Sequence, residues 1–275
     1  MTEFDYEVSI WGDGVATTAW SDPTSFRLRR SFEAVAGLAD GALVLEVGAG
    51  AGQFIRAVKK QFPKLECHGS DISHEALERA RRAKDGVIYD LNKPERLPYD
   101  DASIDGVLIL DVVEHVTDPA ALLDEVRRVL KPQGVFYCFV PCEGDSLSIW
   151  NLLDHLGLKK NLTRRFAGHI NYFSRASLAA LFEKQGFVRD RVVYSEHFLG
   201  QLLGILAFNL MARAAKRQGV AQLNNETYFQ SLNAPTQKIN LIGYLKKMVN
   251  SIVYLESALL KYLPSPNVHS FLHKK

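Results

Sequence analysis

The sequence has few cysteines, no secretory leader and no apolar run of membrane-spanning length. Its three cysteines, Cys67, Cys138 and Cys142, leave at least one thiol unpaired, which excludes a disulfide scaffold. The opening residues, MTEFDYEVSI, are acidic and lack the apolar core of a signal peptide. The longest apolar stretch covers only residues 198–211, whereas a bilayer span needs roughly 20 residues. We therefore expect a cytoplasmic chain without a transmembrane segment.

The charge balance also lacks a strong excess of either sign. Lysine and arginine number 33 and aspartate and glutamate 31, which gives a formal charge of +2. A protein held mainly by nucleic-acid phosphates usually has a clear basic excess, so the balance disfavours a nucleic-acid partner. A hydrophobic fraction of 47% and a charged fraction of 23% are typical of globular proteins and exclude disordered and collagen-like chains.

Short apolar runs alternate with helical patterns along most of the chain, which predicts an α/β protein with a doubly wound, Rossmann-like and mostly parallel seven-stranded sheet. We expect residues 1–40 to form an N-terminal helical cap and residues 41–196 with 266–275 the core. Residues 197–265 are expected to be a helical insertion before the last strand. The predicted strands lie in ALVLEVG, LECHGSDI, VIYDL, IDGVLILDVV, GVFYCFV, FVRDRVVY and the tail HSFLHKK.

A glycine-rich loop, LEVGAGAGQF at residues 45–54, follows the first predicted strand. Glycine lets a backbone approach a ligand closely, because no Cβ intervenes. The dinucleotide fingerprint G-x-G-x-x-G would place its third glycine at position 53, which is Gln53 here. This difference disfavours an NAD(P)-dependent oxidoreductase, although that alternative and a simple tight strand–helix turn both stay open.

The spacing E-x-G-x-G-x-G resembles motif I of the class I S-adenosylmethionine-dependent methyltransferases. That cofactor carries an ammonium group and a sulfonium cation. A carboxylate beside the loop suits these cations better than it suits a diphosphate. The resemblance implies a cofactor site that includes Glu46, Gly48, Ala49, Gly50 and Gly52.

Acidic residues end the second and third predicted strands. Asp71, in GSDIS, is placed to accept hydrogen bonds from ribose hydroxyls; the alternative is a role in capping the next helix, for which Ser73 is already suited. Ile72 follows it in the predicted cofactor site. Asp90 and Leu91 open YDLNKPERLPYDDASID, which resembles the family run D-x-x-x-LP-[FY]-x-D-x-S-[FI]-D with a longer spacer. The resemblance implies that this pair contacts the adenine.

The run VLILDVVEHVTDP, residues 107–119, resembles the fourth-strand motif of the small-molecule branch, which includes the quinone-biosynthesis methyltransferases. Asp111, Glu114 and His115 fall at or just past the carboxyl edge of the sheet, where open α/β folds bind ligands. The resemblance implies that Asp111 contacts the cofactor and that His115 lines the acceptor pocket as a candidate base. His115 packing against the next helix is the alternative. His169, in GHINYFS, is the second catalytic candidate, and no metal site is predicted.

The resemblance covers about residues 42–196 and the probable closing strand, and it implies methyl transfer to a small-molecule or lipid-like acceptor by direct displacement. A base is needed only when the acceptor atom carries a proton. A cytosine-C5 type nucleic-acid methyltransferase with Cys142 as nucleophile is the rival, disfavoured by the charge balance and by the usual inertness of free cysteine. A cofactor-binding protein without chemistry also stays open.

Residues 197–263 have nearly continuous apolar faces. They predict either a helical subdomain that covers the site or an interfacial surface with peripheral membrane contact. In the second case, anionic headgroups would meet the basic residues Lys159, Lys160, Arg164 and Arg165.

Overall fold

A computed structural model describes residues 7, 10–12, 16–93, 96–157, 162–218 and 241–275. Its centre is one seven-stranded sheet in the order β3-β2-β1-β4-β5-β7-β6. Strand β7 runs antiparallel to both of its neighbours, and the other paired strands are parallel. The predicted mostly parallel sheet and its closing strand are confirmed. The strands are β1 (Leu43–Val47), β2 (Glu66–Asp71), β3 (Ile88–Leu91), β4 (Ile104–Leu110), β5 (Leu130–Pro141), β6 (Phe187–Ser195) and β7 (Asn267–Lys274).

Helices cover both faces of the sheet, and two long ones lie between β6 and β7, where the insertion is predicted. The sequence also predicts a break in this helical stretch near Asn233–Pro235, which lies outside the described residues. The helices are α1 (Ser25–Val35), α2 (Gln53–Gln61), α3 (His74–Arg81), α4 (Pro119–Val129), α5 (Ile149–His155), α6 (Leu162–Phe166), α7 (Arg175–Lys184), α8 (Leu199–Gln218) and α9 (Leu241–Leu260).

Side-chain caps fix where several helices begin. Ser73 accepts a hydrogen bond from the amide of Ala76 at the start of α3, and Asp118 caps α4 with a proline in its first turn. Ser174 forms a capping box at the start of α7. The sequence predicts all three caps, because each of these residues directly precedes a helical pattern, and the structure confirms them. The helical spacing of Leu122, Val126 and Val129 predicts that Leu130 continues the inner face of α4, but Leu130 begins β5, because the nearby Pro132 cannot continue a helix.

Two apolar clusters bury the sheet from opposite sides. One contains residues of α4 and α7, such as Leu123 and Phe182, and the other contains residues of α1, α2 and α3, such as Leu28, Ile55 and Leu77. Because both faces are covered, the carboxyl edge of the strands is the natural place for a ligand. The strand order reverses direction between β1 and β4, which makes their carboxyl ends the topological switch point.

Candidate active site

The loop between β1 and α2 depends on its three glycines. Gly48, Gly50 and Gly52 have φ angles of 73°, 54° and 86°, in the left-handed region that favours glycine. A Cβ at Gly48 would overlap the side chain of Val112, and one at Gly52 would overlap the Tyr89 ring. The loop therefore lies directly against the segment that follows β4.

Every backbone N–H of residues 48–52 is already hydrogen-bonded inside the protein. Two donate to the carbonyl of Ser70, at 2.8 and 2.9 Å, and one donates to the Asp71 carboxylate at 2.8 Å. The others donate to the carbonyls of Trp11 and Ala49, at 2.7 and 2.8 Å. A loop that binds diphosphate points such groups at its ligand. No backbone amide of this loop is left to bind a ligand.

Glu46 lies behind the loop. Its side chain is almost fully buried, and its Oε2 accepts a hydrogen bond from the amide of Ile55 in α2 at 2.8 Å. Burial raises the pKa of Glu46 to about 8, although the Ile55 hydrogen bond opposes that rise. The contact in the structure is thus with the start of α2, and the predicted contact of Glu46 with the cofactor stays a prediction.

Asp71 ties the loop to the start of α3. Its Oδ2 accepts from the amide of Gly50 and its Oδ1 from the amide of Ser73, at 2.8 and 2.9 Å. Burial raises its pKa, while these two hydrogen bonds lower it. An ionised carboxylate has about four lone-pair directions, so two amides do not exhaust it. Asp71 thus supports the loop and the start of α3 and can still accept from a ligand, so its predicted contact with the ribose stays a prediction.

Two apolar side chains stand exposed beside Asp71. Ile72 is 47% exposed and Leu91 is 53% exposed, and Leu91 pairs with Asp71 across β2 and β3. Asp90 accepts a hydrogen bond from the Tyr99 hydroxyl at 2.7 Å. The sequence does not predict this hydrogen bond, although Tyr99 lies in the same motif as Asp90. The predicted ribose residue, Asp71, thus ends β2, and the predicted adenine residues, Asp90 and Leu91, end the adjacent strand β3. We call the exposed side chains of Ile72 and Leu91 the apolar shelf.

Asp111 follows β4 directly, and its φ of 54° is unusual for a residue other than glycine. Its carboxylate forms an ion pair with Arg27 of α1. The Arg27 guanidinium also lies over the Phe139 ring, 5.1 Å from its centre. Sequence reasoning missed Arg27, because no local pattern relates residues of α1 to the end of β4.

Both predicted catalytic histidines meet one buried carboxylate. The Oε1 atom of Glu114 lies 3.8 Å from His115 Nε2 and 4.0 Å from His169 Nε2. The two imidazole rings are 4.9 Å apart and nearly perpendicular. Glu114 is fully buried, and neither of its oxygens has a hydrogen-bond partner among the described residues.

Backbone hydrogen bonds hold the two histidine segments together. The carbonyl of Glu114 accepts from the amides of Ile170 and Asn171, at 2.9 and 3.0 Å. The Asn171 side chain donates to the carbonyls of Val113 and Val116. The turn after β4 and the segment before α7 therefore form one rigid unit. Sequence reasoning missed Asn171, although it lies inside the quoted GHINYFS run.

The two histidines have opposite electrostatic surroundings. Burial and the neighbouring His169 lower the pKa of His115 to about 3. Burial alone would lower the pKa of His169 as well, but the adjacent Glu143 carboxylate raises it to about 8. His169 Nδ1 lies 2.9 Å from Glu143 Oε1, and Thr163 donates its hydroxyl hydrogen to Glu143 Oε2. Sequence reasoning missed Glu143; its only signal is its place directly after Pro-Cys at the end of β5.

Cys142 does not have the surroundings of a nucleophile. Its side chain is fully buried, and burial raises the pKa of the thiol, with nearby carboxylates acting in the same direction. A reactive cysteine needs an accessible, electropositive environment that favours the thiolate. The structure thus argues against the cytosine-C5 type alternative.

Comparison with known proteins identifies the family. Residues 23–191, more than half of the chain, match a family model described as a methyltransferase domain. The chain belongs to this family. Membership confirms the predicted resemblance to the class I methyltransferases, whose cofactor is S-adenosylmethionine. The residues at the sheet edge fit that cofactor, because this methyltransferase domain has carboxylates and the apolar shelf there. No amide of residues 48–52 is left to bind a diphosphate.

The matches to curated relatives span only part of each relative's length. The methyltransferase domain is 31% identical over 114 residues to the ubiquinone/menaquinone biosynthesis C-methyltransferase UbiE of Desulfotalea psychrophila, which is 41% of this chain and 46% of that protein. It is 36% identical over 92 residues to the demethylmenaquinone methyltransferase of Thermotoga maritima, which is 33% of this chain and 40% of that protein. The chain thus matches less than half the length of either relative.

Solved structures share the fold over nearly the whole chain. The [4+2]-cyclase SpnF superimposes with a TM-score of 0.60 at 15% identity, covering 97% of this chain and 86% of that one. Such a likeness concerns the fold alone. Among the described residues, no helix has both the length and the hydropathy needed to cross a membrane.

Proposed function

We propose that this chain transfers the methyl group of S-adenosylmethionine to a small-molecule or lipid-like acceptor by direct displacement. The observation that carries the proposal is the hydrogen bonding of the glycine loop: all five amides of residues 48–52 are used inside the protein. S-adenosylmethionine carries no diphosphate, and nearby carboxylates stabilise its ammonium and sulfonium cations, whereas a nicotinamide dinucleotide needs backbone amides for its diphosphate. The names of the UbiE and demethylmenaquinone relatives support a small-molecule acceptor.

The cofactor would lie across the carboxyl ends of β1, β2 and β3. In this proposal Asp71 binds the ribose, and Ile72, Asp90 and Leu91 hold the adenine. The loop at Gly48, Ala49, Gly50 and Gly52, with Glu46 and Asp111, receives the methionine end. When bound, S-adenosylmethionine supplies an already activated methyl group. The protein then has to align the acceptor and exclude water.

His115 and His169 would line the acceptor side of the site. Both rings point at the same buried carboxylate, next to the segment that packs on the glycine loop. An acceptor hydroxyl or phenol has a proton to lose during methylation, and an imidazole within hydrogen-bonding reach is the usual group to receive it. An acceptor without such a proton would use these residues for positioning alone.

Calorimetry with S-adenosylhomocysteine and with NADH tests the cofactor assignment. We expect saturable binding of S-adenosylhomocysteine and no binding of NADH, and the reverse result would contradict the proposal. Turnover is then measured with S-adenosylmethionine and a demethylated quinol, the acceptor class that the relatives' names make the first to try. Cofactor binding without turnover on any small acceptor would favour a binding protein without chemistry.

We further propose that residues 1–40 act as a cap on a core of residues 41–196 and 266–275, and that the insertion 197–265 meets a lipid-like acceptor or membrane surface. One face of α8 packs on α5 and α6 through Trp150, Phe166 and Met211. Its opposite side has exposed apolar residues at a spacing of four. Exposed apolar residues of the insertion include Phe198, Leu202, Leu206, Leu210, Tyr244, Leu245, Met248, Ile252, Leu255 and Leu259.

The predicted headgroup contacts are only partly within the described residues. Arg164 is exposed, whereas Lys159, Lys160 and the side chain of Arg165 lie outside them. Co-sedimentation with liposomes, with and without anionic lipid, tests the surface. We expect Leu206→Glu to reduce binding and Val188→Glu, an exposed change on β6, to leave it unchanged. No binding to either liposome would remove the membrane proposal and leave the methyl-transfer proposal standing.

A further inference from the structure

The buried carboxylate of Glu114 faces the rings of His115 and His169, whose Nε2 atoms lie 3.8 and 4.0 Å from its Oε1 atom, beyond hydrogen-bonding distance. Both of its oxygens are inaccessible and lack hydrogen bonds among the described residues. A buried, unsatisfied polar group costs about 1–3 kcal/mol, and more when it is charged. The methyl-transfer proposal gives Glu114 no task. Its position between two imidazole rings therefore calls for an added group.

We propose that Glu114, His115 and His169 bind a divalent transition-metal cation. Each residue offers one ligand atom, and these atoms all lie within 4.8 Å of one another. Zinc–nitrogen and zinc–oxygen bonds are about 2.0–2.2 Å long, so ligand atoms around one ion are separated by roughly 3–3.6 Å. The Glu114 oxygen, at 3.8 and 4.0 Å from the two Nε2 atoms, would have to move a few tenths of an ångström towards each ring to reach that geometry.

The surroundings of His169 are those of a metal-binding histidine. Such a histidine usually donates its second ring N–H to a carboxylate, which fixes the orientation of the ring. Here His169 Nδ1 lies 2.9 Å from Glu143, and the Thr163 hydroxyl holds Glu143 in turn at 2.8 Å. This arrangement directs Nε2 of His169 towards Glu114. Glu143 is thus a positioning residue for the cation site.

The donor atoms indicate the class of metal. Two imidazole nitrogens and one carboxylate oxygen suit Zn²⁺, Co²⁺ or Fe²⁺, whereas Mg²⁺ and Ca²⁺ prefer oxygen ligands throughout. Three protein ligands leave at least one coordination position open. The use of that position, to hold an acceptor oxygen near the glycine loop, rests on the proposed function. Binding of the cation itself does not depend on the proposed function.

The test uses the full chain after removal of metals with EDTA. Co²⁺ is added while its visible absorption is recorded, and Zn²⁺ binding is measured by calorimetry. We expect saturable binding of one ion per chain with the absorption of a nitrogen- and oxygen-bound Co²⁺. Glu114→Gln and His169→Ala should abolish both signals. Glu143→Gln should weaken affinity by about 10–100-fold. His273→Ala, a surface histidine paired with Asp190, should leave binding unchanged.

Affinity for S-adenosylhomocysteine is measured on every variant, which separates loss of the metal site from loss of the fold or of the proposed function. If Glu114→Gln does not fold, His169→Asn decides the matter. The proposal is overturned if the metal-free chain binds S-adenosylhomocysteine but takes up neither ion, or if the folded ligand variants bind Co²⁺ as the wild type does. Equal binding of Mg²⁺ would also overturn it.

Discussion

The carboxyl edge of the sheet has two halves that differ in how completely their polar groups are paired. In the donor half, residues 46–52 and 71–72, every loop amide has a partner within the protein. In the acceptor half, residues 111–116, 143 and 168–171, the backbone is equally well fixed through Asn171. Yet Glu114 at its centre has both oxygens buried, and neither makes a hydrogen bond within the described part of the chain.

This difference indicates that the two halves depend on their ligands in different ways. The donor half is complete as folded, so its ligand adds contacts to a preformed surface. The acceptor half contains an unpaired buried group, and native proteins tolerate few of these outside functional sites. Variants in the donor half should therefore lose both structure and cofactor, and variants in the acceptor half should lose chemistry first.

The largest effect is expected at Gly50, where a single substitution tests whether the donor half is preformed. In Gly50→Ala, the left-handed backbone conformation costs about 1–2 kcal/mol, and the new Cβ presses on the carbonyl oxygen of Trp11. Together these should weaken S-adenosylhomocysteine binding by at least about 100-fold in calorimetry. Gly204→Ala is the control, because nothing lies within 4 Å of its added Cβ. Near-normal binding by Gly50→Ala would mean that the donor half is not preformed.

The second prediction separates the halves directly. His115→Ala should lower turnover by about 100-fold or more, since an acid–base or positioning group is lost, while S-adenosylhomocysteine affinity stays within about threefold of wild type. Steady-state kinetics and calorimetry on the same preparation measure both quantities, with His273→Ala as the control. Loss of cofactor affinity in His115→Ala would assign His115 to the structure of the donor half instead.

The same division decides how much was predictable from sequence. The donor half is contiguous: LEVGAGAGQF has its glycines and acid within ten residues, so its local geometry appears as spacing. The seven predicted strands and the caps at Ser73, Asp118 and Ser174 are likewise local or periodic signals, whereas the order of the strands in the sheet is not. Strand alternation needs no knowledge of distant contacts.

The acceptor half is assembled from separate elements, and sequence reasoning found it only in part. The Glu-His pair was visible beside β4, but its meeting with His169 depends on Asn171 bridging two segments. Glu143 reaches the cluster from the end of β5. The pairing of Arg27 with Asp111 joins α1 to β4 across the sheet edge. Such long-range side-chain contacts leave no periodic trace.

Substitution of Asp71 should have an intermediate effect on cofactor affinity, which tests the contribution of its charge to the donor half. Asp71→Asn keeps the size of the side chain, but its NH₂ group must face the amide of either Gly50 or Ser73, where a carboxylate oxygen now accepts. Loss of one charge-assisted hydrogen bond, about 1.5–3 kcal/mol, predicts roughly 10–100-fold weaker S-adenosylhomocysteine binding.

Asp40→Asn is the matched control for this change. Asp40 is an exposed carboxylate paired with Lys64 on the surface, where an ion pair contributes about 0–1 kcal/mol. Calorimetry and thermal unfolding should place it close to wild type. Equal cofactor affinity in the two variants would show that the charge of Asp71 does not support the donor half.

The most gradual effect is expected in the pH dependence of stability at Glu46. Burial raises its folded pKa to about 8, whereas an unfolded glutamate titrates near 4.5. The folded state therefore holds the proton more tightly, and the stability that this contributes is full below about pH 4.5 and is lost as pH rises towards about 8. Glu46→Gln retains an acceptor oxygen for the Ile55 amide and has no proton to lose.

Thermal unfolding of wild type and Glu46→Gln between pH 5 and 9, without cofactor, measures this loss. Wild type should lose stability relative to the variant by at most about 1.4 kcal/mol per pH unit, and the difference should level off above about pH 8. A constant difference across the range would mean that Glu46 is ionised in the folded chain throughout. The donor half would then hold a buried charge, which the single amide of Ile55 does not satisfy, and it would resemble the acceptor half in depending on its ligand.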